Sequence, residues 1–548
     1  MIVTPGQLNP YHLDLSALKI LVIDDFADMR SMMRRTVESF KGLAVELARD
    51  GDEALEKMGA TKFDLVLCDY NLGDGKDGQQ ILEEAKHRKY ISSTTIWMMV
   101  TAETTVEMVM GALEYKPDDY LTKPFTKQEF AVRVMKIQAR KAELRDILAA
   151  RDSGAYDKAL EHVAAHLAKK ETFELLQIKA DLHERQQAWS EADAIYNRVL
   201  GQRPLAWAQL GHARMLIRAE KFDAAKDILS AAIAQMPTLV EAYDLLAGVH
   251  ETLGDAKSAQ QVLESAIAQS PKAILRQKAM ARLAYTNADL DAAEKAYRRI
   301  IKMGRGSIYK SADDYSGLAR VYADKGAATE AVKVLSTLKE EFKHNHDALL
   351  QGLLAEADIY TKLGLGAQAE QALDGATAIA QKAANISSGV AMDFIKAALN
   401  SQRDALAQEL TTTLVKNNHD DAELVLRVQA SFDAAGKGDT AKKLVDAARQ
   451  ATRELLDKGT ELVKQGALDE AISHFLQAAG ATPNNLQVNL ALAQTLVKAM
   501  QKNGKTERHV FLLRQSLDKV RQIDPSNGLL PTLQELYRQL VGAQTAPA

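Results

Sequence analysis

The first 130 residues alternate short apolar runs with amphipathic stretches. "LKILVID" (18–24), "AVELAR" (44–49), "DLVLCD" (64–69), "IWMMVT" (96–101) and "DYLTK" (119–123) are the strand candidates. The first, third and fourth are apolar at consecutive rather than alternate positions, as in strands covered by helices on both faces. This predicts an α/β unit with a parallel, five-stranded, doubly wound sheet. Ligands of such sheets gather at the carboxyl ends of the strands, where loops and helix N-termini converge. The strand ends here carry Asp24 and Asp25, Asp69, Thr101, and the pair Lys123-Pro124.

From Thr126 to Ala150 the pattern lacks Pro and Gly and predicts one long helix. A self-similar period follows. "GAYDKAL", "QAWSEAD", "EKFDAAK", "LGDAKSA" and "ADLDAAE" place alanines at 159, 192, 225, 259 and 293, with spacings of 33, 33, 34 and 34. Prolines stand twelve residues beyond three of these alanines, at 204, 237 and 271. A small residue lets two helices approach closely and proline stops the second one, so the period predicts an all-α solenoid of helix–turn–helix units. Less regular units centre on Ala331, Ala369, Ala405, Ala441 and Ala471, the last with Pro483 twelve residues on. "HVFLLRQSLDKVRQIDP" reads as a terminal helix pair, which makes roughly ten or eleven units.

Composition narrows the functional classes. The chain has 548 residues, 47% hydrophobic and only 5% aromatic, an alanine-rich balance suited to close-packed helices. Its net charge of −4 offers no excess of positive charge for phosphate backbones, and no basic recognition helix is evident, so nucleic acid is not an expected partner. No segment offers roughly 18 uninterrupted apolar residues, so membrane insertion is not expected. A single cysteine, Cys68, fits a reducing compartment, and a cytoplasmic location is expected. Strand placement predicts that Cys68 is a small buried hydrophobe. His162 and His166 lie one helical turn apart, yet no third ligand is evident and a solvated helix face is the expected reading. "KHNHD" (343–347) reads as a polar connection between units.

Several carboxylates held on one rim repel one another, a cost that a divalent cation offsets. An all-oxygen ligand set with room for water suits Mg²⁺. With the charge neutralised, one carboxylate can act as nucleophile toward a phosphoryl group, Lys123 can neutralise a phosphoryl oxygen and Thr101 can hydrogen-bond another.

These residues, in this order, resemble a two-component receiver domain: "DD" at 24–25, the lone Asp69, "TAE" at 101–103 and "DDYLTKPF" at 118–125. The resemblance implies a flavodoxin-like (βα)5 receiver in which Asp69 is the phosphoacceptor and Lys123 the invariant lysine. It implies that Asp25, Asp69 and the backbone carbonyl of Asn71 bind Mg²⁺, with Asp24 acting largely through water. Thr101 and Tyr120 match the switch pair, Tyr120 becoming buried on phosphorylation. Asn71 and Glu103 match positions that tune the lifetime of the acyl phosphate, and their polarity implies fast self-dephosphorylation. The pattern departs from the family in "NLGDGKDG", which has no proline and runs one residue longer to Asp77-Gly78.

The helical period resembles the tetratricopeptide repeat, with Ala192, Tyr196 and Pro204 well matched and residues 300–460 poorly matched. The expected layout is an N-terminal extension (1–16), a receiver (17–130), a helical linker (131–150), a superhelical repeat array (151–540) and a flexible tail (541–548). The resemblance implies a response regulator, phosphorylated by a histidine kinase or phosphotransfer protein, whose array binds protein partners in its concave surface. No output enzyme is visible. The alternative is a constitutive scaffold whose receiver docks or dimerises, so a homodimer is left open.

Overall fold

A computed structural model describes residues 12–73, 75–102, 116–382, 386–525 and 527–541. They fall into two compact units, one ending at Lys325 and one beginning at Gly326. Expectations for Glu103, for the N-terminal extension before residue 12 and for the tail beyond 541 lie outside the described residues.

In the first unit the strands are β1 (Lys19–Ile23), β2 (Ala44–Ala48), β3 (Leu65–Asp69), β4 (Ile96–Thr101) and β5 (Asp119–Thr122). All pair in parallel, in the order β2-β1-β3-β4-β5. Alternate residues feed opposite cores. Ile20, Val22, Leu65, Leu67, Met98 and Val100 face α1 (Ala27–Glu38) and the helix after β5, α4 (Lys127–Glu143). Leu21, Ile23, Val66, Cys68, Trp97 and Met99 face α2 (Gly51–Ala60) and α3 (Gly78–His87). Each fully buried aliphatic side chain contributes about 1.5–3 kcal/mol, which explains why these strands are apolar at every position. Cys68 is buried as predicted, and burial pushes its thiol pKa well up.

The helix expected over 126–150 divides at Leu144. Thr126 caps α4 by accepting from the Glu129 N–H, and a second helix, Arg145–Asp152, begins after Leu144. The physical reason is a change of partner. Phe130, Ala131, Val134 and Ile137 pack in the sheet's core, whereas Leu144, Ile147 and Leu148 pack with Ala159, Val163 and Leu182 of the following helices. Lys141, at the divide, donates to the Ser93 and Thr95 carbonyls and pairs with Asp118 at 2.8 Å.

Beyond Leu144 the described residues form helical hairpins. One turn geometry recurs: a residue with positive φ stands five positions before a buried alanine that is the fourth residue of the next helix. Gly154, Gln187, Glu220, Gly254 and Ala288 precede Ala159, Ala192, Ala225, Ala259 and Ala293 in this way. The second unit repeats it with Gly326, Gly364, Gln402, Gly436 and Gly466 before Ala331, Ala369, Ala407, Ala441 and Ala471. Ala405, expected at this position, is exposed; the buried alanine is Ala407, fully buried in helix Asp404–Asn417. The predicted terminal helix pair is likewise corrected, because residues 509–523 lie within one helix, Glu507–Ile523, uninterrupted by Gly or Pro. Glycines make room for the large side chains: Gly211 faces Tyr196 and Gly317 faces Tyr297, and a β-carbon at either would strike the ring.

Candidate functional site

The β1/β3 switch point brings the predicted rim together. β1 delivers Asp24 and Asp25, β3 ends on Asp69, β4 ends on Thr101, and Lys123 follows β5 before a cis peptide to Pro124. Asp24 is fully buried; its side chain accepts from the Phe26 N–H at 2.9 Å. One oxygen from each of Asp24, Asp25 and Asp69 lies within 4.8 Å of the others.

Lys123 Nζ bridges two of them, donating to Asp24 Oδ2 at 2.7 Å and to Asp69 Oδ2 at 2.8 Å. Burial raises the Asp69 carboxyl pKa, against the opposing hydrogen bond and charge of Lys123. For Lys123, burial alone would favour loss of the proton, but the hydrogen bonds and charges of Asp24 and Asp69 outweigh it and hold the pKa above its ordinary value. Two carboxylates share one ammonium, and the ammonium keeps its proton.

The donor set fits a hard divalent cation. Three carboxylates against one ammonium leave two negative charges in excess when all are ionised, and Asp25 Oδ1 is buried with no hydrogen-bond partner among the described residues. Such an orphaned oxygen is costly unless a cation or water completes it. Among the described residues no other group of three His, Cys, Asp or Glu side chains comes together this way. His162 and His166 sit half-buried on helix Tyr156–Lys169 without a third ligand.

Asn71 is exposed; its N–H points at Asp69 Oδ1 at 3.4 Å, so that oxygen is held weakly. Thr101 is buried at the β4 end. The Tyr120 ring packs in the α2/α3-side core, its hydroxyl buried with no partner among the described residues and its pKa raised by burial. The Tyr120 ring is thus turned inward.

Gly78 closes the loop after Asp69. Its N–H donates to the Tyr70 carbonyl at 2.8 Å, and a β-carbon there would strike the Asp69 carbonyl oxygen. Asp77 and Gln80 form a reciprocal cap at the start of α3. Burial raises the Asp77 carboxyl pKa.

Comparison with known proteins adds to this geometry. Residues 20–135 match the family described as response regulator receiver domain, and residues 216–283 and 278–346 match two families described as tetratricopeptide repeat. The chain joins a receiver domain to tetratricopeptide repeats. The transcriptional regulatory protein ResD of Bacillus subtilis is 33% identical over 125 residues, 23% of this chain and 50% of that protein. The chain thus spans half the length of that relative. Of the solved structures it resembles, a CheY-like receiver domain protein from Methanospirillum hungatei JF-1 is 26% identical, covering 23% of this chain and 95% of that one with a TM-score of 0.21. The C-terminal part of a TPR repeat-containing protein from Cytophaga hutchinsonii is 15% identical, covering 44% of this chain and 96% of that one with a TM-score of 0.37. Among the described residues, no helix is long and apolar enough to cross a membrane.

Four residues around the receiver's lengthened loop escaped the sequence reading: Lys76, Gln80, Lys272 and Gly306. The alanine spacing rises from 34 to 38 between Ala293 and Ala331, but it stays at 38 up to Ala407 and so does not single out this contact.

Proposed function

We propose that the chain is a response regulator of a two-component phosphorelay, which accepts a phosphoryl group on Asp69 in a Mg²⁺-dependent reaction and thereby controls the protein contacts of its repeats. The carrying observation is the cluster of Asp24, Asp25 and Asp69 around the Lys123 ammonium, with one Asp25 oxygen unpartnered. The donor is a histidine kinase or phosphotransfer protein.

Asp69 Oδ1 is the attacking atom, because Oδ2 is tied to Lys123 and, among the described residues, Oδ1 receives only the long Asn71 N–H contact. A bond forms from Oδ1 to phosphorus as the phosphorus–nitrogen bond of a phosphohistidine breaks; the electron pair leaves with the imidazole nitrogen, which takes up a proton. Lys123 then exchanges a carboxylate for an oxygen of the transferred group, and the Thr101 hydroxyl donates to another. Asp25, Asp69 and the Asn71 carbonyl would hold Mg²⁺, with Asp24 acting through water; the ion supplies positive charge that offsets the carboxylates and phosphoryl oxygens. Asn71 and Glu103 tune attack by water on the acyl phosphate.

A second reading, a constitutive scaffold, draws support from the packing between receiver and first repeat. Asp152 accepts from the Ser93 N–H at 2.8 Å, and Arg151 donates to Ser93 Oγ at 2.7 Å. Partner capture and oligomeric state decide between the two, measured on the Asp69→Asn variant and on wild-type protein treated with Mg²⁺ and acetyl phosphate. A difference supports the switch; identical behaviour supports the scaffold.

A further inference from the structure

The loop that follows Asp69 ends against the repeat formed by helices Ile274–Thr286 and Leu290–Met303, through three contacts. Lys76 lies in a slot between two glycines, one from each domain: a β-carbon on Gly51 would come within 2.7 Å of Lys76 Cβ, and one on Gly306 within 2.9 Å of Lys76 Cγ. Its ammonium pairs with Asp52 at 2.5 Å and approaches Glu84 at 3.5 Å. Gln80 Nε2 donates to the Met303 carbonyl at 3.0 Å while Oε1 accepts from the Asp77 N–H at 3.1 Å. Lys272 Nζ lies 3.2 Å from the Tyr70 hydroxyl and 4.8 Å from the ring centre, so the hydroxyl end takes the contact.

Two features mark the contact as built. Gly306 is not among the residues with positive φ, so its turn does not require glycine. The atoms that a β-carbon there would meet belong to Lys76 and Gln80 of the receiver, which is what excludes a side chain. The two partners are also both lengthened at this point. The loop after Asp69 runs long to Asp77-Gly78, and a long connection, residues 304–311, separates helix Leu290–Met303 from helix Ala312–Asp324.

The lengthened loop is also tied to the phosphoacceptor at both ends. Tyr70 follows Asp69 directly, and Gly78 donates to the Tyr70 carbonyl while a β-carbon on it would strike the Asp69 carbonyl oxygen. Asp69, Tyr70 and the start of α3 are thus joined by direct backbone contact.

We propose that Tyr70, Lys76 and Gln80 and the surface made by Lys272, Met303 and Gly306 form an intramolecular coupling interface, through which the repeat array positions the Asp69 loop and senses its occupancy. The occupant of this array surface is the chain's own receiver. The proposal rests on the reading of Asp69 given above. Coupling is reciprocal: if loading Asp69 loosens the contact, loosening the contact favours loading.

The test is hydrogen exchange on the full chain, with Mg²⁺ alone and with Mg²⁺ plus beryllium trifluoride as a stand-in for the phosphoryl group. The proteins compared are wild type, Gly306→Leu and Lys272→Ala. The expected result is a change in amide protection in both 70–80 and 303–310 when beryllium trifluoride binds wild type. Gly306→Leu and Lys272→Ala should lose protection in both segments beforehand and bind the probe about fivefold or more tightly. A change confined to 70–80, with unaltered affinity in both variants, overturns the coupling and leaves the reading of Asp69 intact. No change in either segment of wild type overturns both.

Discussion

Lys123 Nζ lies 2.8 Å from Asp69 Oδ2 and spends a second hydrogen bond on the fully buried Asp24. The contact neutralises part of a carboxylate cluster that would otherwise resist folding. Removing one partner of a buried ion pair typically costs about 3–5 kcal/mol, and less where solvent reaches the pair, as it partly does here. Lys123→Met should lower the unfolding stability of the receiver by about 2–3 kcal/mol without divalent cation, and saturating Mg²⁺ should restore much of it. Chemical denaturation with and without Mg²⁺ measures both, and an equal loss under the two conditions would remove the electrostatic explanation.

The repeat register gives a sharper packing test. Ala407 is fully buried at the fourth position of its helix, whereas Ala405 is exposed. Overpacking a close helix contact costs about 1–3 kcal/mol, and exposed substitutions usually stay within about 0.5 kcal/mol. Ala407→Leu should therefore destabilise the second unit while Ala405→Leu leaves its melting unchanged. The reverse order would return the register to Ala405.

Much of this architecture was legible from the sequence. The sheet was readable because strands sandwiched between helices must be apolar at every position, as in "LVLC", and the acidic rim because its residues terminate those strands. The register error at Ala405 has a local cause: the turn residue is Gln402 rather than glycine, alanines stand at both 405 and 407, and the step from Ala369 to Ala407 is 38 residues, not the 33 or 34 that placed Ala192, Ala225 and Ala293. The break at Leu144 carries no Pro or Gly, since it reflects two cores competing for one helix. The loop contact was least legible of all. Gln80 and Met303 are 223 residues apart and Lys272 and Tyr70 are 202 apart, and no local pattern encodes a partner at that distance.

His419 gives the second unit a pH dependence. Asn485 Nδ2 donates to its Nδ1 at 3.0 Å, while Asn485 Oδ1 accepts from the Val488 N–H, which fixes the amide and requires a neutral imidazole. Burial lowers the His419 pKa below the ordinary 6.5, with Arg453 and Arg449 acting in the same direction and Asp420 opposing. The unfolded chain then binds the proton more readily than the folded one, so the stabilisation is complete above about 6.5 and is lost as pH falls below it. Denaturation of the second unit's helices should show this slope in wild type, and His419→Gln should flatten it. An unchanged slope would assign the effect elsewhere.

Phosphoryl transfer to Asp69 is the central claim, and mass spectrometry of the full chain after incubation with Mg²⁺ and acetyl phosphate tests it most directly. The account predicts one added phosphoryl group, mapped to the peptide containing Asp69, not incorporated when Mg²⁺ is chelated beforehand and absent from Asp69→Asn. Equal incorporation into Asp69→Asn, or none into wild type, would contradict it.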